Sequence, residues 1–506
     1  MRNLLFLLFT ILCCKAFSQP SIEWAKCYGG SDDDGAAKII QTFDGDFIIA
    51  GHTWSKNGDV QFNHGKCDVL ILKIDESGIV KWSKTYGGSR VERPSDFKQT
   101  SDGGFIFCGP TDSNDGDVSG YHGFPQIGNY DIWVVKLDSV GKINWQKSLG
   151  GTGYDYARTI IQTRDGGYLV AGNSNSKDGD VSFNFGSTDF WLVKLDNSGT
   201  IIWEKSYGGP GSDEPRSILQ TEDGGYLAFG YSMSDFIAFR LDSIGNIIWQ
   251  NHYGGSKWEQ PRAAIQTKDG GFLLVGDTDS NDGGLSNNHG GQDFLVIKIN
   301  SSGKIEWQNC FGGSNGDNAN AVTQTIDGGY AIAGIASSKD GDVFSNHGYY
   351  DYWIIYLDAK GNLIWENSFG GMKSDDPYSI IEFENGKFMV SGETFSTDND
   401  IVDNHGSRDF WVLKLTPLTE LVNNKEVKPT KKSIDIFPNP VVDKVFIQMN
   451  GNQNLTILVS NLQGDLLITR RIHGEQFIDF SEFAKGIYLV HIITSEGVQI
   501  RKVLKQ

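Results

Sequence analysis

Acidic and amide side chains recur in short Gly-containing loops of this chain, and oxygen-rich loops bent by Gly suit a hard divalent cation. An Asp-Gly-Asp-Val core stands at Asp115–Val118, Asp178–Val181 and Asp340–Val343, with variants at Asn57–Val60, Asp282–Leu285 and Asp398–Ile401. Asp112, Asn114 and Asp117 could converge on Ca2+, as could Asp277, Asp279 and Asn281. The spacing differs from that of the twelve-residue calcium loop and no Glu closes it, so Asx turns bonding their own backbone are the simpler reading. A His follows in the same loops, as His64, His122, His289, His347 and His405, with Phe185 in one place instead. Imidazole beside Asp invites Zn or Cu, yet a catalytic centre is normally single, and repetition favours packing or hydrogen bonding. Asp68, Asp131, Asp189, Asp235, Asp293, Asp351 and Asp409 recur at one strand start. Paired carboxylates serve glycosidases, but an Asp at the same place in every repeat reads better as a backbone cap. Gly pairs such as Gly29–Gly30 and Gly370–Gly371 precede no helix, which removes the phosphate-loop reading. No unique catalytic set emerges.

The elements that position these residues form a repeat. Each unit runs Trp, an aromatic-Gly-Gly, an Ile-Gln-Thr strand, Asp-Gly-Gly, an apolar strand, then Asp-x-Trp-x-x-Lys-Leu-Asp. The repeated Trp residues are Trp24, Trp82, Trp145, Trp203, Trp249, Trp307 and Trp365, spaced by 58, 63, 58, 46, 58 and 58. Asp165-Gly166-Gly167 between two apolar runs is a hairpin turn, since Gly tolerates positive φ. Four strands in a period of this size make one propeller blade. Asp189–Leu195 is apolar on both faces, as in a strand sandwiched between blades, while Ile201–Tyr207 alternates and belongs on the rim.

Each Asp-x-Trp strand is followed by a Trp strand except the last, Asp409–Leu415, and the first Trp strand, Ile22–Tyr28, has no such strand before it. Pairing the two orphans would close a ring and remove two exposed edges. The fold class expected is therefore all-β, a seven-bladed β-propeller over 19–416 whose N-terminal strand closes the last blade. The closure resembles that of WD-type propellers, and the repeat is similar to beta-propeller repeats of secreted bacterial proteins. That resemblance implies fold and hardly any function. Blade 4 is irregular: Tyr231-Ser-Met-Ser-Asp235 replaces its long loop, which predicts a notch in the loop face. Ligand contacts are expected near Tyr231, Trp258 and Asp213, with Trp258 and Tyr154 as non-repeated aromatics suited to stacking on sugars.

The two ends carry addresses. Residues 1–18 read as a signal peptide, with Arg2, an apolar run from Leu4 to Cys14, and Ala16-Phe17-Ser18 as a cleavage site. A polar linker spans 417–432, and 433–506 holds short alternating strands that suggest a small β-sandwich. Phe437-Pro438-Asn439-Pro440, the stretch from Gly486 through Tyr488 to Val490, and basic Lys502 and Lys505 resemble the type A C-terminal sorting domain of the type IX secretion system. The resemblance implies a bacterium of the Bacteroidetes type, engagement of the type IX secretion machinery, and release or attachment at the cell surface by way of the periplasm.

Composition sets the outer bounds. Gly numbers 63 and Pro 12, aromatics reach 12%, and the formal net charge is −19, so nucleic acid and anionic membranes are poor partners. No segment beyond the signal is long and apolar enough to cross a membrane. Cys27, Cys67, Cys108 and Cys310 remain after the signal, too few for a disulfide scaffold, and read as packed thiols or one bridge at most. The function expected is a secreted or surface binding protein without catalysis, monomeric, for a glycan or protein ligand, with Ca2+ as the only cofactor its loops would take. The alternatives are an extracellular polysaccharide-degrading enzyme with its site at the notch, and a calcium-stiffened adhesin or spacer.

Overall fold

Tight Gly turns between short apolar runs dictate hairpins, and hairpins are what the chain forms. The computed structural model describes residues 17–18 and 20–417, apart from 124–128, 286 and 385, together with 419–420, 435–448, 454–461, 466–473, 476–481, 483–494 and 497–505. The signal-peptide residues before Phe17 and most of the linker lie outside the described residues. The described elements are all strands, and no helix long and apolar enough to cross a membrane occurs among them.

Among the described residues from 22 to 415, seven four-stranded antiparallel sheets recur. Their first strands are Asp34–Gln41, Asp96–Gln99, Asp155–Gln162, Asp213–Gln220, Glu259–Gln266, Asp317–Gln324 and Asp375–Phe383. Six sheets use four consecutive strands, and the seventh takes its outer strand, Ile22–Tyr28, from the start of the chain. That strand runs antiparallel to Asp409–Leu415, with Ile22 opposite Leu415 and Tyr28 opposite Phe410. The junction is fastened by Thr416 N–H to Ser21 O at 2.9 Å and Ser21 N–H to Thr416 Oγ1 at 2.9 Å.

The middle strands are buried on both faces, as their unbroken apolar runs require. Apolar clusters lie between successive sheets. One joins the sixth to the seventh through Tyr352, Ile354, Trp411 and Leu413. Another joins the seventh to the first through Phe410, Val412, Leu70 and Leu72. The arrangement is propeller-like. The four cysteines among the described residues, Cys27, Cys67, Cys108 and Cys310, are buried and free.

The repeated polar residues make the seams. The Gln that ends a first strand accepts from a turn N–H of the preceding sheet, as Gln162 does from Ser101 at 2.7 Å and Gln220 from Arg164 at 2.9 Å. The repeated third-strand Lys reaches the Asp of the Asp-Gly-Gly turn: Lys136 to Asp102 at 2.9 Å and Lys194 to Asp165 at 2.9 Å. At the rim, aromatic residues of an outer strand donate to the hairpin carbonyls of the next sheet. Trp24 Nε1 reaches Glu76 O at 3.1 Å, Tyr28 OH reaches Gly78 O at 2.8 Å, and Tyr253 OH reaches Gly303 O at 2.7 Å. Trp365, on the outer strand of the sixth sheet, is buried and its indole N–H has no partner. The turn it would meet does not exist, because the third and outer strands of the seventh sheet come from opposite ends of the chain.

The C-terminal part is a separate unit. A three-stranded sheet (Asp435–Phe437, Lys444–Gln448, Gln476–Asp479) and a four-stranded sheet (Leu466–His473, Asn454–Asn461, Gly486–Thr494, Gly497–Lys505) share one apolar cluster that includes Val445, Ile457, Val490 and Val503. This is the small sandwich expected from the alternating strands.

Candidate functional site

The loop face is built by one repeated acidic residue: Asp34, Asp155, Asp213, Glu259, Asp317 or Asp375 opens a first strand, and Glu92, in an isolated bridge to Thr111, takes the same place ahead of Asp96–Gln99. Sequence reasoning singled out Asp213 alone of these, as a ligand contact, and did not recognise the position as a repeated one. Asp155 is buried and shows its role. Its Oδ2 accepts from Gly151 N–H at 2.8 Å and from Ser176 Oγ–H at 2.7 Å, and its Oδ1 accepts from Ser174. It thereby ties the Gly-Gly turn to the long loop. Replacing it with Ala leaves three buried donors unpaired, and D155A is expected to lose about 3 kcal/mol of folding stability in urea denaturation. A loss below roughly 1 kcal/mol would show the network to be dispensable.

The third-strand Asp residues cap the loop return. Asp68 Oδ2 accepts from His64 N–H at 2.7 Å and lies 2.6 Å from His64 Nδ1. His122, His289, His347 and His405 repeat this on Asp131, Asp293, Asp351 and Asp409. The imidazoles are thus held by hydrogen bonds to strand carboxylates.

The proposed cation ligands go separate ways. Asp112 faces Arg90 at 3.4 Å, Asn114 Oδ1 accepts from Gly120 N–H at 3.2 Å, and Asp117 Oδ2 accepts from Gly87 N–H at 3.2 Å. Asp277 corrects the sequence reading more sharply. It is a buried residue of the strand Phe272–Thr278, not a loop ligand, and its carboxylate faces Arg262 at 3.4 Å. Asp279 is engaged through its backbone N–H on Trp258 O at 2.9 Å. Among the described residues no group of three His, Cys, Asp or Glu side chains could hold a metal ion.

Burial raises many of these carboxyls. Asp131, Asp293 and Asp375 are pushed up to about 6, and Asp277 and Asp376 to about 7. An acid whose folded pKa exceeds its unfolded value of about 3.9 contributes stability that is complete below that value and is lost as pH rises through the folded pKa. Asp102, Asp165 and Asp269 act in the opposite sense. Burial disfavours their charge, but hydrogen bonds from Thr and Lys hold them at about 2, so their contribution falls away under stronger acid. The melting temperature is therefore expected to fall from about pH 4 to about pH 7, to level off above that, and to fall again below about pH 3.5. Circular dichroism melts across that range test it, and a melting temperature that rises from about pH 5 to about pH 7 would contradict the assignment.

At the fourth sheet the loop face is interrupted. The strands Tyr226–Ser232 and Asp235–Leu241 are joined by a tight turn with Met233 at φ 60. Elsewhere the long loop covers the second Gly of the aromatic-Gly-Gly turn: a Cβ on Gly151 would lie 2.4 Å from Asp178 O. A Cβ on Gly209 or Gly211 meets nothing within 4 Å. In the other six repeats the residue after the Gly pair donates its N–H to that loop, as Thr152 does to Asp178 at 2.7 Å. Here that residue is Pro210, which has no N–H. The result is a cavity of about 230 Å3 lined by Phe185, Tyr207, Gly209, Gly211, Asp213 and Met233, among others. Of the sequence candidates, Asp213 lines it. Trp258, 45% exposed, adjoins the neighbouring turn, where Glu259 N–H donates to Ser234 O at 2.8 Å. Tyr231 is half-buried outside the lining, and Tyr154 stacks on Tyr156 with ring centroids 5.7 Å apart.

A second cavity, of about 290 Å3, is lined by first-strand residues from all seven sheets. In six of those strands the register slips at one bulged residue: Ala37, Arg158, Arg216, Arg262, Asn320 or Tyr378. Each of the six borders the cavity, as does Ser95 of the second sheet. A bulge re-aims a side chain. Because it breaks the two-residue period, only a column-by-column alignment of the seven repeats would have exposed this position.

Repeated four-stranded sheets packed in succession define the class, a propeller-like all-β chain. It is similar to Sqt1 from Chaetomium thermophilum (10% identity, 74% of this chain and 83% of that one, TM-score 0.40). It is similar too to the Dos1 propeller (12%, 79% and 95%, TM-score 0.38) and to the polysaccharide lyase Uly1 (9%, 77% and 90%, TM-score 0.42). No curated protein matches the chain. Residues 435–506 match the family described as Secretion system C-terminal sorting domain. That domain implies export by the type IX secretion system and a secreted or cell-surface location.

Proposed function

We propose that this is a secreted or surface-displayed binding protein without catalytic activity, a seven-bladed propeller closed by its N-terminal strand and carrying a removable sorting domain. The ligand, a glycan or protein, sits at the fourth-blade notch. The carrying observation is the uncovered backbone at Gly209 and Gly211, where the repeated loop face opens into a cavity with both apolar and polar walls. Phe185 and Met233 stand 53% and 71% exposed beside it. The N–H of Gly211 has lost the loop serine that its counterparts bond, such as Gly153 on Ser176 at 2.9 Å. Exposed apolar surface next to a free backbone donor is a binding feature, not a folding one.

The test is a binding screen of the mature chain against extracellular polysaccharides and proteins, with G211W and M233D as notch variants. Both positions are exposed, so folding is retained, and binding should weaken at least about tenfold, roughly 1.4 kcal/mol. Unchanged affinity in both variants would move the ligand elsewhere.

An enzymatic reading has one observation behind it. Asp376 and Glu393 are opposite each other across two strands, Asp376 Oδ1 is buried without a partner, and Glu393 Oε1 accepts from Tyr378 at 3.3 Å and from Arg408 at 2.9 Å. This set occurs in one blade only. Release of reducing ends or unsaturated sugars from a polysaccharide panel, abolished in D376N, would favour it over pure binding.

A further inference from the structure

The central cavity carries charge of the opposite sign to the chain. Against a formal net charge of −19, its wall presents Lys38, Lys98, Arg158, Arg216 and Arg262, with Asp96 as the only lining carboxylate. Bulges in three successive sheets deliver the three arginines. Asp96 on the wall and carboxylates behind it answer some of this charge. Glu214 takes Arg158 at 2.8 Å and Arg216 at 3.3 Å, Asp277 faces Arg262 at 3.4 Å, and Asp96 takes Lys98 at 3.0 Å. Asp376 and Glu393 stand beside Arg408, with Arg93 acting on Glu393 as well. The balance is incomplete. Arg158 and Arg216 share one carboxylate, and Lys38 has no hydrogen-bond or ion-pair partner among the described residues. Like charges crowd one another here. Lys98 beside it, and then burial, lower Lys38 to about 8, against the weaker attraction of Asp96. Burial, and then Arg158, lower Arg216 to about 10.

We propose that this cavity is an anion-binding site for a sulfate, phosphate or comparable divalent oxyanion group, held by Lys38 and the arginines of the third to fifth sheets. A cation cluster kept together without full counter-charge is raised in energy, and an anion among them removes that repulsion while accepting forked guanidinium hydrogen bonds. A volume near 300 Å3 suits a small ligand or one acidic sugar unit. The site is independent of the notch: Asp213 lines the notch, while the next residue, Glu214, turns to the cavity arginines.

Inorganic sulfate is the first probe, titrated into the mature full chain at fixed ionic strength against chloride, with the melting temperature and calorimetric heats as readouts. Sulfate stabilises any protein at high concentration by exclusion, so the signal sought is a saturable shift at low millimolar levels. K38Q should weaken sulfate about tenfold. It should also melt higher than wild type without sulfate, because Lys38 makes no hydrogen bond or ion pair among the described residues and the repulsion from Lys98 outweighs the attraction of Asp96. R158Q/R216Q should abolish the saturable shift, and K177Q, on the exposed loop face, should leave it intact. Inorganic phosphate and a sulfated disaccharide then separate the sources. Tighter binding of the sugar points to an acidic polysaccharide, and equal binding to a free oxyanion. A wild-type shift that follows ionic strength alone, or an identical sulfate response in K38Q, would overturn the proposal.

Discussion

A chain that starts at Gly29, without Ile22–Tyr28, will fail to form its seventh sheet and will lose its cooperative melting transition. The missing strand carries main-chain bonds to Asp409–Leu415 along its whole length. It also removes Ile22, Ala25 and Cys27 from one inter-sheet cluster and Trp24 and Tyr28 from the next. Burying each large apolar side chain is worth roughly 1.5–3 kcal/mol, so the loss is on the order of 5–10 kcal/mol, comparable to the whole stability of a domain. The exposed edge of Asp409–Leu415 will also recruit other chains. Near-UV circular dichroism and size-exclusion chromatography read both effects. Y28F gives a graded control: it removes only the bond to Gly78 and should cost about 1 kcal/mol. A truncated chain that stays monomeric with an unchanged melting temperature would refute the closure.

The second large effect is expected in export. Asn439 sits between Pro438 and Pro440, and its side chain bonds the end of the chain on both sides: Nδ2 donates to Lys502 O at 2.6 Å, and Oδ1 accepts from Leu504 N–H at 2.9 Å. Val441 N–H donates to Leu504 O at 2.7 Å, and Lys505 Nζ reaches Val442 O. The two parts of the sorting signature, distant in sequence, are thus one surface. N439A should unfold this edge at a cost of about 2–3 kcal/mol, a large share of so small a sandwich's stability. Secreted protein should drop sharply while the full-length form accumulates in the periplasm, as should occur on deleting Lys502–Gln506. Immunoblots of medium and cell fractions decide it, and normal secretion of both variants would show that recognition lies elsewhere.

Much of this was legible in the chain itself. Asp-Gly-Gly turns, the two-sided apolar strands and the two orphan strands act through local chemistry, and the pairing of Ile22 with Leu415 is the one their patterns demand. The notch was legible as a shortened repeat at Tyr231–Asp235, but its cavity lies on the Phe185 side, so Asp213 lines it and Trp258 does not. The cation loops misled because Asp277 alternates into a strand interior, where burial and Arg262 decide its role. The arginine-lined cavity could not be read from spacing. Arg158, Arg216 and Arg262 are far apart in sequence, the bulge hides their common position, and only packing of the first strands brings Lys38 to them.

The unpartnered indole of Trp365 has a mechanical consequence. At the other rim positions described, such as Trp24 and Tyr253, an aromatic from one sheet fastens the hairpin of the next, so tension passes through a continuous covalent turn. Trp365 has no turn to grip in the seventh sheet, whose third and outer strands are remote in sequence and are stitched at Ser21 and Thr416 instead. A pull applied to the segment beyond Leu415 meets this stitch first, so the seventh sheet will part between Asp409–Leu415 and Ile22–Tyr28 while the remaining sheets are still intact.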